Sequence, residues 1–400
     1  MPRLADGKYR ILIYSHGLSG FNRCRKIAGA IIDHRSDVSV LILSDAPTIG
    51  QYSFKTGIDF IYMPRAPGNA TPIEDAIGYG GDACDALAVR EALIRRIAEV
   101  FRPHLFLVDE QPLGIHREIR RTVCALKARG THLVLGLSDM GDHASDHHSH
   151  GSTTGAATEL ADLYDDIWIY GPREISDGPG GHPVADGVGS KASYIGYLCH
   201  PPAAPRDPHT ISAETDSFIL VTGGSDGAEI IDWVLSAYDY DPNLPYGCCI
   251  VLDPLMDDAT RARLERRIEA NTKIRIMTFA SDLEMKSAIG VIGVGSYDTV
   301  CEILSTDLPA AVVPLPDRPA HRARAEQLQR LGLIQLLEAS DIRLPSGMAH
   351  AIRDLGRQSH QPRSKFRNLL SGLDLISQSV DHLVSSTSRS YLTPQPERAN

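Results

Sequence analysis

The sequence predicts an α/β protein built from two parallel-sheet domains. Three observations point to it. Short runs of Val, Ile and Leu alternate with stretches of helical spacing through the first half of the chain, and the alternation restarts in the second half. The apolar runs are nearly unbroken, as strands buried on both faces are. Between the halves lies His-Pro-Pro-Ala-Ala-Pro-Arg-Asp-Pro-His at 200–209, whose four prolines favour an extended, semi-rigid linker.

The first half offers strands at 9–15, 38–44, 60–63, 105–109, 133–137 and 167–170. The clearest helix is 83–100, where Leu87, Leu93, Ile94 and Ile97 recur on one side and Arg90, Glu91, Arg95 and Arg96 lie elsewhere. Segments 64–82, rich in Gly and Pro, and 139–154, rich in His, Ser, Gly and Asp, read as loops. The second half offers strands at 218–222, 249–252, 274–279, 291–294 and 310–314. Its helices are 228–237, 259–270, 298–304, 322–331 and 364–383. The expected plan is a first domain over 1–200, a linker over 201–210 and a second domain over 211–363. A helix over 364–384 and a polar, disordered tail over 385–400 complete it. No internal repeat is visible.

Composition narrows the function classes. At 42% apolar and 22% charged, the chain is an ordinary globular protein. A net charge of -10 repels phosphate backbones, so no nucleic-acid partner is expected. No secretory signal and no apolar run of membrane-spanning length (about 20 residues) is seen, which implies a cytoplasmic protein. The seven cysteines are odd in number and show no CxxC spacing, so they read as packed thiols in a reducing compartment. Cys248 and Cys249 sit in an apolar run and read as core strand.

Three segments carry chemistry. Val221-Thr222-Gly223-Gly224-Ser225-Asp226-Gly227-Ala228 follows a strand and opens a helix. Glycines permit positive φ and close approach of a ligand, and free helix N–H groups with the helix dipole suit a phosphate. Ser225 adds a hydroxyl, and Asp226 is placed to cap the helix. A tight turn without a ligand is the competing reading. In the second segment, Gly293 to Leu304, a strand again ends in glycine before a helix. Gly295, Ser296, Tyr297 and Thr299 line the turn, and Glu302 falls one turn into the helix. A carboxylate there can accept bonds from two ribose hydroxyls; as an alternative, it complements the helix dipole. The third segment is Pro309 to Pro316, followed by Arg318 and His321.

Together these segments resemble the donor-binding half of the family 28 glycosyltransferases, which include the enzyme adding N-acetylglucosamine to the lipid-linked peptidoglycan precursor. The resemblance spans roughly 9–360 and is nearest to a branch of bacterial predicted glycosyltransferases that share Tyr14-Ser15-His16 and Thr299-Val300-Cys301-Glu302-Ile303-Leu304. It implies a GT-B fold, two Rossmann-like parallel-sheet domains facing a central cleft, with the acceptor on the first and the nucleotide-sugar donor on the second. It further implies that Gly223 to Gly227 hold the diphosphate, Glu302 the ribose, and Gly295, Ser296, Tyr297, Thr299 and His321 the rest of the donor, a UDP-sugar. Neither metal nor cofactor is implied, since helix N–H groups serve the leaving diphosphate. Transfer with inversion to a saccharide or lipid-linked acceptor is implied, in envelope polysaccharide synthesis, with peripheral contact at the inner membrane.

The first half departs from the family pattern. The turn Ser15 to Arg25 is short, and Gly20 stands where the family has histidine. His16 is then the candidate base, suited to take a hydroxyl proton near neutral pH. Asp109 is a second catalytic candidate, and Gly17, Ser19, Gly20, Arg23 and Glu110 are candidates for the acceptor. Ala320 and His321 replace an acidic-amide pair that meets the donor sugar, and Ser138-Asp139 lacks an arginine that relatives carry. His143, His147, His148 and His150 fall in a glycine- and serine-rich loop, a poor frame for a metal. A nucleotide-sugar epimerase, which shares the double fold, and a non-catalytic nucleotide-sugar-binding module remain as competing functions.

Overall fold

A computed structural model describes residues 8–65, 83–140, 153–176, 182, 184–199, 218–223, 227–253, 256–277, 288–306, 308–358 and 363–392. The first sheet has seven strands: β1 (Tyr9–Ser15), β2 (Val38–Ser44), β3 (Ile58–Tyr62), β4 (Leu105–Asp109), β5 (His132–Ser138), β6 (Asp166–Tyr170) and β7 (Ala192–Tyr194). Their order is β3-β2-β1-β4-β5-β6-β7, and every pairing is parallel. The second has six: β8 (Phe218–Thr222), β9 (Gly247–Val251), β10 (Ile274–Met277), β11 (Ala288–Val294), β12 (Ala310–Val313) and β13 (Gln335–Leu336). They run β10-β9-β8-β11-β12-β13, again all parallel. Central strands are buried along their whole length, as in β4, while Phe60 and Tyr62 of the edge strand β3 are exposed. In each sheet the direction of strand addition reverses once, between β1 and β4 and between β8 and β11. Ligands of open α/β sheets bind at the carboxyl ends of strands at such a reversal.

The longer helices are α1 (Gly17–His34), α2 (Ala83–Phe101), α3 (Arg120–Ala128), α4 (Thr153–Leu163), α5 (Ala228–Tyr240), α6 (Asp258–Glu269), α7 (Tyr297–Leu304), α8 (Pro319–Arg330), α9 (Pro345–Leu355) and α10 (Gly372–Leu392). Three differ from expectation. The segment read as a turn at 15–25 is mostly α1. On α2 the buried face carries Arg90, Ile94 and Ala98, while Leu93 is exposed, because Arg90 brings its charge to buried carboxylates. The last helix begins only at Gly372, after a 3-10 segment (Arg363–Leu370), and runs past Ser385 to Leu392.

The chain ends by returning to the first domain. Leu373, Ile376, Val380 and Val384 of α10 join a core with Ile27 and Ile31 of α1, and Asp381 pairs with His34 at 2.7 Å and Arg35 at 3.1 Å. Gly196 (φ +81°) lets the Leu369 carbonyl pass 3.0 Å from where a Cβ would stand. The linker at 201–210, the histidines at 143–150 and most of the loop at 64–82 lie outside the described residues. Cys24, Cys199, Cys248, Cys249 and Cys301 are packed thiols; Cys124, against expectation, is exposed.

Candidate active site

At the end of β1, His16 stands just before α1, and Gly17 (φ +65°) turns the chain from strand to helix. Asp45 follows the neighbouring strand β2 at the same sheet edge. Its carboxylate meets His16 Nδ1 at 2.6 Å and accepts the Gly17 N–H at 2.8 Å. Burial raises the Asp45 carboxyl, but the bond from His16 and the charge of Arg90 outweigh it and hold it below the usual carboxylate range. An ionised carboxylate only accepts, so the imidazole proton sits on Nδ1 and Nε2 is the basic nitrogen. Behind Asp45, Arg90 donates to it at 3.2 Å and to Glu118 at 2.6 and 2.7 Å, and Tyr14 donates to Glu118 at 2.5 Å. All members of this chain are buried except His16, whose side chain is 23% exposed against 3% for Asp45. Sequence reasoning missed Asp45, although its place directly after a strand was a usable signal. Nothing in the sequence pointed to Arg90 or Glu118.

The second first-domain cluster is closed to substrate. Asp109 is 1% exposed and accepts Arg23 at 2.8 Å; Glu110 accepts the Ser138 N–H at 2.7 Å. Arg23 is itself buried, 3.6 Å from Glu110 and 4.0 Å from Asp298 of the second domain. Asp109, named above as a catalytic candidate, is thus held in an ion pair, and Arg23 and Glu110, named for the acceptor, are buried at the domain contact. Gly20 gains a structural reason, since a Cβ there would lie 3.0 Å from Asp109 Oδ2. Ser19 is exposed on the first turn of α1.

On the second domain, several donor candidates lie in or beside the domain contact. Arg324 of α8 and Asp139 after β5 are both 0% exposed and joined by bonds of 2.5–3.0 Å. Tyr197 donates to Asp139 at 2.7 Å, and Arg324 donates to the Gly295 carbonyl at 2.7 Å. Tyr297 is buried, its hydroxyl accepts the Leu198 N–H at 3.2 Å, and its ring lies between the guanidiniums of Arg23 and Arg324 at 5.7 and 5.8 Å. Ser296 caps α7, bonding the Thr299 N–H and hydroxyl at 3.3 and 3.0 Å. His321 is buried, and its carbonyl presses on Gly295, 2.7 Å from a would-be Cβ. Gly295, Tyr297, Thr299 and His321 are thus buried in the wall, and Ser296 caps α7.

Two features face the cleft. Gly223 and Gly227 close the turn after β8 on each other, with a would-be Cβ on Gly227 only 2.0 Å from Gly223 Cα. Gly227 (φ -94°) is required by this contact and not by positive φ. It also takes the cap position of α5 expected for Asp226, with no side-chain bond to the first turn. Gly224, Ser225 and Asp226 lie outside the described residues. Glu302 is the other feature. It is exposed, and among the described residues its carboxylate has no hydrogen bond. The surrounding protein nevertheless desolvates it and raises its carboxyl above the usual range, Lys26 opposing and Asp298 and Asp253 adding. Among the described residues no cluster suited to a metal ion occurs, and no helix is long and apolar enough to cross a membrane.

Residues 218–380 match the family described as glycosyltransferase family 28 C-terminal domain. No curated protein sequence matches the chain. Among solved structures, the glycosyltransferase of kitacinnamycin is similar with a TM-score of 0.61 at 15% identity, over 96% of this chain and 100% of that one. The calicheamicin glycosyltransferase follows with 0.59 at 13%, over 94% and 98%. The UDP-GlcNAc 2-epimerase from Methanocaldococcus jannaschii gives 0.56 at 12%, over 93% and 99%. At such identities the likeness speaks for fold alone. The protein has the GT-B fold, and residues 218–380 within it are similar to the glycosyltransferase family 28 C-terminal domain.

Proposed function

We propose that the protein transfers a sugar from a nucleotide diphosphate donor to a hydroxyl acceptor. The observation that carries this reading is Glu302: it is exposed one turn into α7, and among the described residues its carboxylate has no hydrogen-bond or ion-pair partner. Ribose hydroxyls would donate to it, and its raised basicity makes it the stronger acceptor. The diphosphate would rest on the turn Gly223 to Gly227 and the start of α5, whose N-cap residue, Gly227, has no side chain to occupy the first-turn N–H groups. The leaving charge is then carried by backbone donors in a closed cleft rather than by a metal or other cofactor.

The acceptor would meet His16. Asp45 fixes the imidazole, Nε2 removes the hydroxyl proton, and the oxygen attacks the anomeric carbon as the diphosphate departs, inverting that centre. The family resemblance favours a UDP-sugar and a saccharide or lipid-linked acceptor of envelope polysaccharide synthesis, the latter reached by peripheral membrane contact. Calorimetry with UDP, GDP, ADP and dTDP on the wild type and Glu302→Ala tests the reading. Selective binding of one nucleotide, weakened by about 1.5–3 kcal/mol in the variant, is expected. Binding of none refutes it, and a UDP-sugar isomerised without acceptor selects the epimerase instead.

A further inference from the structure

The two glycine turns on the donor side hold no positive charge. Neither Thr222 to Ala228 nor Gly293 to Leu304 contains a basic residue, while Asp253, Asp298 and Glu302 make that wall acidic. Of the arginines at the start of α8, Arg322 is spent on Glu338 at 2.8 Å and Arg324 on Asp139, and Arg318 before them is likewise engaged. A diphosphate carrying about two negative charges would therefore meet a repulsive wall unless cations reach it from the opposite domain.

Helix α1 supplies them. Arg23 lies 4.0 Å from Asp298, which sets α1 alongside α7. One turn further along each helix stand Lys26 and Glu302. Lys26 is half-buried, and among the described residues it has no carboxylate at ion-pair distance. Burial lowers its pKa, but Cys301, Glu302 and Asp298 raise it past the ordinary value, so it stays charged. Beside it Arg25 stacks 4.7 Å over the Tyr52 ring, with a buried Nε that lacks a hydrogen-bond partner. Arg23 and Arg324 show what a bracing cation looks like here: fully buried and hydrogen-bonded to a carboxylate. Lys26 sits at the same domain contact without such a bond.

We infer that Lys26, with Arg25 beside it, reaches across the cleft to the diphosphate of a bound nucleotide, so that the first domain supplies the positive charge that the donor domain's glycine turns lack. This rests on the donor placement proposed above.

Titration of UDP and uridine, and of the GDP, ADP and dTDP pairs, separates the two ideas. Lys26→Ala is expected to weaken the preferred nucleoside diphosphate on the order of 10- to 100-fold while leaving its nucleoside unchanged, with Lys26→Arg restoring most of the loss. Melting curves check that the variants fold. Equal weakening of diphosphate and nucleoside, or no weakening of either, overturns the inference. Should Glu302→Ala lose nucleoside while Lys26→Ala binds diphosphate normally, the donor site stands and only this inference falls. Binding of no nucleotide by the wild type removes both.

Discussion

Removing the Asp139 carboxylate should be the most damaging single change at the domain contact. Asp139 and Arg324 are both 0% exposed. In Asp139→Ala, Arg324 loses its carboxylate counterion, although the Gly295 carbonyl and the face of Tyr297 remain, and the Tyr197 hydroxyl loses its acceptor. An unpaired buried charge created this way costs about 3–5 kcal/mol. For domains of about 200 residues, at about 2–4 °C per kcal/mol, the melting temperature should fall on the order of 10 °C. Because the pair spans the domains, the calorimetric transition should also broaden or split. The penalty comes from the stranded charge and not from the lost attraction, so Asp139→Leu with Arg324→Met should recover most of it. A shift under about 2 °C in Asp139→Ala, or a double variant no better than the single one, would refute the reasoning.

Two further outcomes follow. His16→Ala and Asp45→Asn should each lower turnover by about 100-fold or more with nucleotide affinity unchanged, because they act on the acceptor proton; steady-state rates with a calorimetric Kd check this, and a matching loss of affinity would move both residues out of the base role. Glu302→Gln should melt higher than wild type at neutral pH yet bind donor more weakly. A carboxyl raised in the folded state holds a proton that the unfolded chain releases, so its destabilisation is full above the folded pKa and vanishes as pH falls below the ordinary 4.5. Melting curves across that range test the sign, and a Glu302→Gln variant less stable at neutral pH contradicts it.

The two-domain parallel plan was legible because β1, β4, β8 and β11 are short unbroken apolar runs, and such runs have few other destinations in a soluble chain. Helix α1 was not, because Gly17 and Gly20 read as turn residues. One bends the chain out of β1 and the other makes room for Asp109, needs that appear only once β4 lies beside β1. Arg90 misled for a related reason: a charge in an amphipathic pattern reads as solvent-facing, whereas its partner Glu118 is 28 residues away. Motif spacing located the cleft wall at 293–302, but it could not separate residues that line the site from residues that build it. Tyr297, for one, accepts the backbone N–H of Leu198, 99 residues away, a contact that no local spacing encodes.

That separation follows from how each polar group is satisfied. Asp109, Glu110, Asp139, Arg23 and Arg324 are buried and bonded, and any ligand for them would first have to break a bond inside the protein. Such groups position the walls. Glu302 and Lys26 stand on helices that meet at the contact between the domains, yet among the described residues no side-chain hydrogen bond or ion pair holds them there. Leaving a desolvated carboxylate and a lysine on opposing helices without direct contact costs stability, and a structural role would be served better by closing the pair. An arrangement that keeps them apart is stabilised only when something with hydroxyls for Glu302 and negative charge for Lys26 enters between them. A ribose diphosphate has both, in one molecule, with its hydroxyls and phosphates a few bonds apart.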